Sequence, residues 1–164
     1  MNTLSNISSF IKTQNPIQTI FWSGLIAGLL DAIAGVIVYF IWFKYNPFQV
    51  LQSISAGIYG PSVIGGGFIY VVLGLLLHFL IAFTAAGILF IAFGYIPALR
   101  KNALWLGILY GALIWIFMNL FVLPLSNYPK IPFDAGLAAV GIIWHMFLVG
   151  LPIGLITSWY YKKA

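Results

Sequence analysis

Apolar residues fill this chain in four long blocks, separated by short stretches that hold most of the prolines and nearly all of the charge. The first block, 20–43, is 24 residues long, and its one charge, Asp31, stands almost at its centre. A helix rises 1.5 Å per residue and a hydrocarbon core is about 30 Å thick, so a block of that length predicts a membrane-spanning helix. The other three read the same way, with spans at about 16–43, 68–93, 103–123 and 135–160. The predicted fold is an all-α, integral membrane four-helix bundle over 16–161, preceded by a polar tail, 1–15.

Local signals punctuate the blocks. Asn15-Pro16 is a helix start, with Asn as N-cap and Pro at the first helical position. Trp22 and Trp42 lie about 30 Å apart along that helix and match two membrane interfaces. A second Asn-Pro pair opens a shorter segment, 47–58, in which Phe48, Leu51, Ile54, Ser55 and Ile58 share one helical face while Gln49, Gln52 and Ser53 fall elsewhere. This predicts an amphipathic helix too short to span, lying in the membrane surface on its apolar face. Glycines at 57, 60 and 65–67 then break it, with no phosphate-loop pattern around them. Gly94 is read as the end of the second span, Asn102 as the cap of the third and Asp134 as the cap of the fourth. The third is expected to stop at Pro124. Pro152 is expected to kink the fourth, because it leaves the Leu148 carbonyl without a helix donor.

Composition narrows the class further. The chain is 63% hydrophobic and 5% charged, against about 25% charged in soluble domains, so lipid is the solvent for most of its surface. The seven bases that dominate a net charge of +5 are scattered between the apolar blocks, without the basic stripe that nucleic-acid binding needs. Lys12, Arg100, Lys101, Lys162 and Lys163 fall on the side of the termini, and only Lys44 and Lys130 on the other. That asymmetry predicts cytoplasmic termini and an outward-facing amphipathic helix. The absence of cysteine excludes disulfides, thiolate nucleophiles and Cys-ligated metals. The block 20–43 exceeds a signal-peptide core and reads as a retained anchor.

The two halves resemble each other. Trp22-x-Gly24-x-x-x-Gly28 matches Trp105-x-Gly107-x-x-x-Gly111 at an offset of 83, and Gly74-x-x-x-His78 matches Gly141-x-x-x-His145 at an offset of 67. An even number of spans per half implies a parallel repeat about an axis along the membrane normal. Gly24, Gly28, Gly107 and Gly111 let helix backbones approach, with the first span expected against the third and a dimer interface as the competing use.

Three polar groups share one depth. Asp31 lies near mid-membrane, and His78 and His145 each lie about 15 Å below the outer ends of their helices. A carboxylate at that depth costs about 2.5–3.5 kcal/mol even on a lenient scale, so it should face the bundle interior. The three form a candidate proton- or ion-responsive centre, or an N,N,O ligand set for a divalent metal. The competing reading is structural, with Asp31 satisfied by Asn119 or a backbone carbonyl. The glycine one turn before each histidine raises bis-His haem as a further reading, although no cofactor is assigned. Asn119, Ser126 and Asn127 suggest an outer polar rim. Trp115 and Trp144 read as packing residues. Catalysis finds no motif, and Ser23 and Ser158 lie more than two helical turns from the histidines.

The segments GLIAGxxD (24–31), NPFQVLQSISAG (46–57), LGxxxH (73–78) and GxxYGxxxWxxMNxxVLPLS (107–126) resemble a family of small four-span bacterial inner-membrane proteins with no assigned biochemical role. The resemblance implies location and fold, and carries no catalytic residue. The working expectation is proton, ion or small-solute transport or sensing through a bundle lined by Asp31, His78 and His145. Its rival is an accessory protein that packs against a partner. Besides the lipid bilayer, the partners considered are a second copy and another membrane protein.

Overall fold

The two Asn-Pro pairs start their helices by the same device. In the first, the Asn15 side chain accepts the Gln18 N–H at 2.8 Å while the Gln18 side chain accepts the Asn15 N–H at 3.3 Å. Asn46 and Gln49 repeat this reciprocal cap at 2.9 and 3.0 Å. The computed structural model describes residues 15–163, with side chains to Lys162. Residues 1–14 of the expected tail 1–15, Lys12 among them, and the Lys163 side chain lie outside that description. Helix α1 covers Pro16–Phe43, α2 Pro47–Tyr59 and α3 Phe68–Tyr95. The third span, Pro97–Leu125, contains α4 (Ala103–Phe117) and α5 (Leu123–Leu125); the fourth contains α6 (Ala135–Trp144) and α7 (Leu151–Lys163). All four spans are long and apolar enough to cross a membrane. The fold is an all-α bundle with a short non-spanning helix between the first two spans.

Several local expectations are revised. Gly94 does not end α3, which runs to Tyr95, and Asn102 makes no side-chain cap. A 3-10 turn, Pro97–Asn102, joins the two spans instead. The third span stops at Leu125, one residue past Pro124, and the fourth continues through Pro152; the two prolines share one device. Each is preceded by a π-helical segment, Met118–Val122 and His145–Gly150. In both, the leucine before the proline donates its N–H five residues back, Leu123 to Met118 and Leu151 to Met146. Widening the turn relieves the collision between the proline ring and the carbonyl four residues earlier.

The glycine pairs pack each hairpin internally, contrary to the expected contact of the first span with the third. A Cβ on Gly24 would stand 3.1 Å from Phe83 Cα, and one on Gly28 would meet Phe79 and Ala82. Gly107 faces Gly150 and Leu151, and Gly111 faces His145 and Met146. Offsets of 83 and 67 carry Gly24–Phe83 onto Gly107–Gly150 and Gly28–Phe79 onto Gly111–Met146, so the repeat seen in the residues recurs in the contacts. These small residues are occupied inside the chain and are not left over for a dimer seam.

The apolar core lies in the half nearer the termini, where Ala27, Ala85, Ala86, Leu89, Phe93, Ala103, Val149 and Ile153 form one cluster. Polar locks close that end. Tyr110 donates to the Ala85 carbonyl at 2.8 Å and Tyr161 to that of Phe90 at 3.0 Å. Arg100 donates to the carbonyls of Phe93 and Gly94 and lies 4.3 Å from the Tyr161 ring centroid. It thereby ties the carboxyl end of α3 to the fourth span.

Helix α2 keeps Phe48 and Ile58 on the outside, as expected of a helix lying on its apolar face, but Ser55, expected on that face, is buried with Gln52 and Ser53. It lies across the start of α3, where Gly74 leaves room for the Leu51 main chain; a Cβ there would come within 2.6 Å of the Leu51 carbonyl carbon. The Gln52 amide accepts the Gly65 N–H at 2.7 Å and donates to the Gly66 carbonyl at 3.0 Å, which clamps the glycine turn. Gly65 has φ 82, a conformation open to glycine at little cost. Polar groups thus point into the protein and apolar ones outward, the arrangement favoured when the outer surface is lipid.

Candidate functional site

Asp31 stands on the inward stripe of α1, one turn from buried Ala27 and Ala34. Its carboxylate meets three side chains from two other spans. The Trp144 indole N–H donates to Oδ1 at 2.7 Å. His145 Nε2 lies 3.7 Å from Oδ1, and His78 Nδ1 lies 4.0 Å from Oδ2. Both imidazoles are largely buried, at 11% and 14% side-chain exposure, while Asp31 retains 24%. The three groups that share a depth in the sequence therefore converge on one point.

The second nitrogen of each ring settles where a proton sits. His78 Nε2 is 2.8 Å from the Gly28 carbonyl oxygen, and His145 Nδ1 is 2.8 Å from that of Gly141. A carbonyl only accepts, so both nitrogens carry hydrogen. In neutral rings the other two nitrogens are then bare lone pairs, and both face an oxygen of the same carboxylate. With Asp31 ionised and no further proton present, that arrangement is repulsive and bears one negative charge. One proton, on either facing nitrogen or on Asp31, makes the cluster neutral and turns a repulsion into an attraction. A second gives it a net positive charge. The one-proton form of the cluster is therefore the neutral one, suited to the membrane interior.

Trp144, expected to be a packing residue, is instead the one direct side-chain hydrogen-bond donor to the Asp31 carboxylate among the described residues. The signal was its depth: an indole far from the interfaces still needs an acceptor for its N–H. Its ring stacks on His145 at a centroid distance of 5.1 Å, so two consecutive residues of the fourth span address one carboxylate. The π segment begins at His145. Trp144→Phe keeps a smaller aromatic side chain and deletes the donor; loss of the hydrogen bond alone is expected to destabilise the folded state by about 0.6–1.7 kcal/mol, the range for polar contacts between membrane helices, in a denaturation titration.

The remaining candidates fall elsewhere. Asn119 donates to the Trp115 carbonyl of its own helix and does not contact Asp31. Asn127 donates through its amide to the Ile58 carbonyl at 2.7 Å and through its N–H to Gly57 at 2.9 Å. Ser126 closes its own turn, donating to Leu123 and accepting the Tyr128 N–H. Ser126 and Asn127 thus belong to a loop docked on the end of α2, apart from Asn119. In that loop, burial pushes the Tyr128 phenol up from its ordinary value, with the Tyr39 hydroxyl alongside adding to the shift. Tyr128 and Tyr39 oxygens are 3.5 Å apart, a neutral hydroxyl pair on the α2 side of Asp31. Ser23 donates to the Ile20 carbonyl of its own helix.

Geometry also bears on cofactors. The space beside each histidine that suggested haem is filled, by the Leu51 main chain at Gly74 and by the Trp115 indole at Gly141. Among the described residues no group of three His, Cys, Asp or Glu side chains is arranged to hold a metal ion.

The repeat explains why the site is asymmetric. His78 and His145 correspond at the offset of 67, but the counterpart of Asp31 is Ile114 and that of Trp144 is Leu77. One acid serves two histidines. No family model, curated protein or solved structure matches the chain, and the likeness to a bacterial family is reduced to its architecture. The protein is a multi-pass helical membrane protein with a buried His–Asp–His cluster.

Proposed function

We propose that this protein binds and releases protons at the Asp31–His78–His145 centre and couples that exchange to the passage or sensing of a proton, ion or small solute. One observation carries the reading: each histidine spends one N–H on a backbone carbonyl and turns its other nitrogen toward the single carboxylate. A purely structural cluster would more simply pair each ring with its own acceptor. Convergence on one carboxylate favours a working centre over an accessory role in which the polar groups serve separate helix contacts.

We place the route to the centre on the α2 side. The apolar core closes the half nearer the termini, whereas the other half holds Tyr39, Tyr128 and the buried polar face of α2. With cytoplasmic termini, as the distribution of bases implies, that route opens outward and the centre titrates with the external medium. A bacterial inner membrane would place it on the periplasmic side.

Solid-state ¹⁵N NMR of histidine-labelled protein in bilayers tests the reading. As the bathing pH is lowered and restored, His78 Nδ1 and His145 Nε2 are expected to gain and lose a proton reversibly while His78 Nε2 and His145 Nδ1 stay protonated. Four ring signals that do not move with pH would remove the proton-exchange reading.

A further inference from the structure

The fourth span turns two consecutive residues, Trp144 and His145, toward one carboxylate. Val149 marks the inward side of that span: it is 5% exposed and shares the core cluster with Leu89 of α3 and with Ala27 of α1, one turn from Asp31. An unbroken α-helix turns by about 100° per residue, so Trp144, five residues before Val149, would lie about 140° round the axis from that inward line. Only His145, four residues before Val149 and about 40° off, would stay near it.

The π-helical segment His145–Gly150 changes this count. Its hydrogen bonds close over five residues instead of four, as the bond from Leu151 back to Met146 does. It therefore takes in one extra residue and winds everything before it by about 100° relative to an α-helix. Trp144 then falls about 40° to one side of the Val149 line and His145 about 60° to the other. The pair straddles the line, which is how the indole N–H reaches Asp31 Oδ1 at 2.7 Å while His145 Nε2 lies 3.7 Å from the same oxygen.

Contacts on both sides of the segment keep the added residue where it is. Towards the carboxyl end, Gly150 is seated on Gly107 and Gly111, a Cβ on Gly154 would stand 2.8 Å from Gly107 Cα, and Tyr161 donates to the Phe90 carbonyl. Towards the amino end, a Cβ on Gly141 would stand 3.2 Å from Trp115 Cε2. The cause of the turn lies just beyond it, in Pro152, which has no N–H and whose ring excludes the Leu148 carbonyl from its α-helical place.

We propose that Pro152 is a positioning residue of the Asp31 centre: through the π turn it sets the register that brings Trp144 and His145 to the carboxylate together. It does so from about two helical turns away from His145. The consequence for activity rests on the proton-exchange reading above; the register itself does not.

The indole ¹H–¹⁵N resonance of Trp144 in bilayers, identified by its absence in Trp144→Phe, tests this. In wild type it is expected to be shifted downfield by the carboxylate. Pro152→Ala restores an N–H that the Leu148 carbonyl can accept, so the segment is expected to wind as α-helix and the downfield shift to be lost. Deleting Phe147, which is 49% exposed, from that variant removes the extra residue and is expected to return the Trp144 and His145 Nε2 signals to their wild-type positions. A proline that served stability alone would show no such compensation. Circular dichroism follows the helical fold, and if Pro152→Ala by itself does not assemble, recovery of assembly and of both signals on deletion carries the same meaning. A Trp144 signal unchanged in Pro152→Ala, or no recovery in the compensated chain, would overturn the proposal. Histidine signals indifferent to pH, with the compensation intact, would instead remove the proton-exchange reading and leave the register standing.

Discussion

Asp31→Asn is expected to lower pH-driven flux in proteoliposomes by about tenfold or more, to the level of protein-free vesicles, while the protein remains folded. Asparagine matches the carboxylate in size and still offers an oxygen to the Trp144 N–H, so the packing around α1 is kept. What is lost is the charge and the proton it attracts. The two facing nitrogens of His78 and His145 then have no anion between them, and the cluster no longer has a neutral form that requires a proton. Tenfold corresponds to about 1.4 kcal/mol, less than the roughly 2.5–3.5 kcal/mol at stake when a carboxylate is placed in mid-membrane. For the same reason the variant is expected to be as stable as wild type or more so. An entrapped pH-sensitive dye reports the flux under an imposed gradient, with a panel of ions and small solutes added outside. A variant that behaves as wild type across that panel would sink the working centre and favour the accessory reading.

The second large effect is steric. Gly111→Ala is expected to cost about 1–3 kcal/mol, the usual penalty of overpacking, because the new Cβ would stand 2.6 Å from the His145 carbonyl carbon and 2.7 Å from Met146 Cα. Both are backbone atoms and cannot rotate away. The third and fourth spans must separate, and His145 must move from Asp31 as they do. Gly87→Ala is the control. Nothing lies within 4 Å of its would-be Cβ, so it is expected to gain up to about 0.8–1.0 kcal/mol from helix propensity alone. A denaturation titration in mixed micelles distinguishes them, and equal midpoints for the two variants would mean that the close approach at Gly111 is not as described. The pair also separates packing from chemistry, since Asp31→Asn alters function at constant packing and Gly111→Ala alters both.

The spans, their number and the short helix after the first were all legible in the chain, as were the caps at Asn15, Asn46 and Asp134. The shared depth of Asp31, His78 and His145 was legible too, because depth in a straight helix is only a count of residues from its end. Other readings failed for identifiable reasons. Ser55 is expected by its spacing on the outward stripe of α2 and is instead buried with Gln52 and Ser53, because against lipid it is the polar side chains that gain most from facing the protein. Pro124 marks the end of the third span to within one residue, but the π turn that precedes both it and Pro152, after the same Met-x-x-x-x-Leu pattern, is not legible in the chain because it rests on a hydrogen bond five residues back. Trp144 was passed over because position alone makes an aromatic residue look like filler.

Cap chemistry and the length of an apolar run act over a few residues, and a linear chain states both outright; from them follow a membrane location, four helices and a carboxylate too costly to leave facing lipid. Partnership across the bundle is not of that kind. Trp144 reaches Asp31 over 113 positions and His78 reaches Gly28 over 50, and no local rule joins such pairs. They meet because Gly28 seats α1 on Phe79 and Gly111 seats the third span on the backbone at His145. Which ring nitrogen is left to face the acid, and hence where a proton can sit, depends on those contacts and appears only when the four helices are assembled.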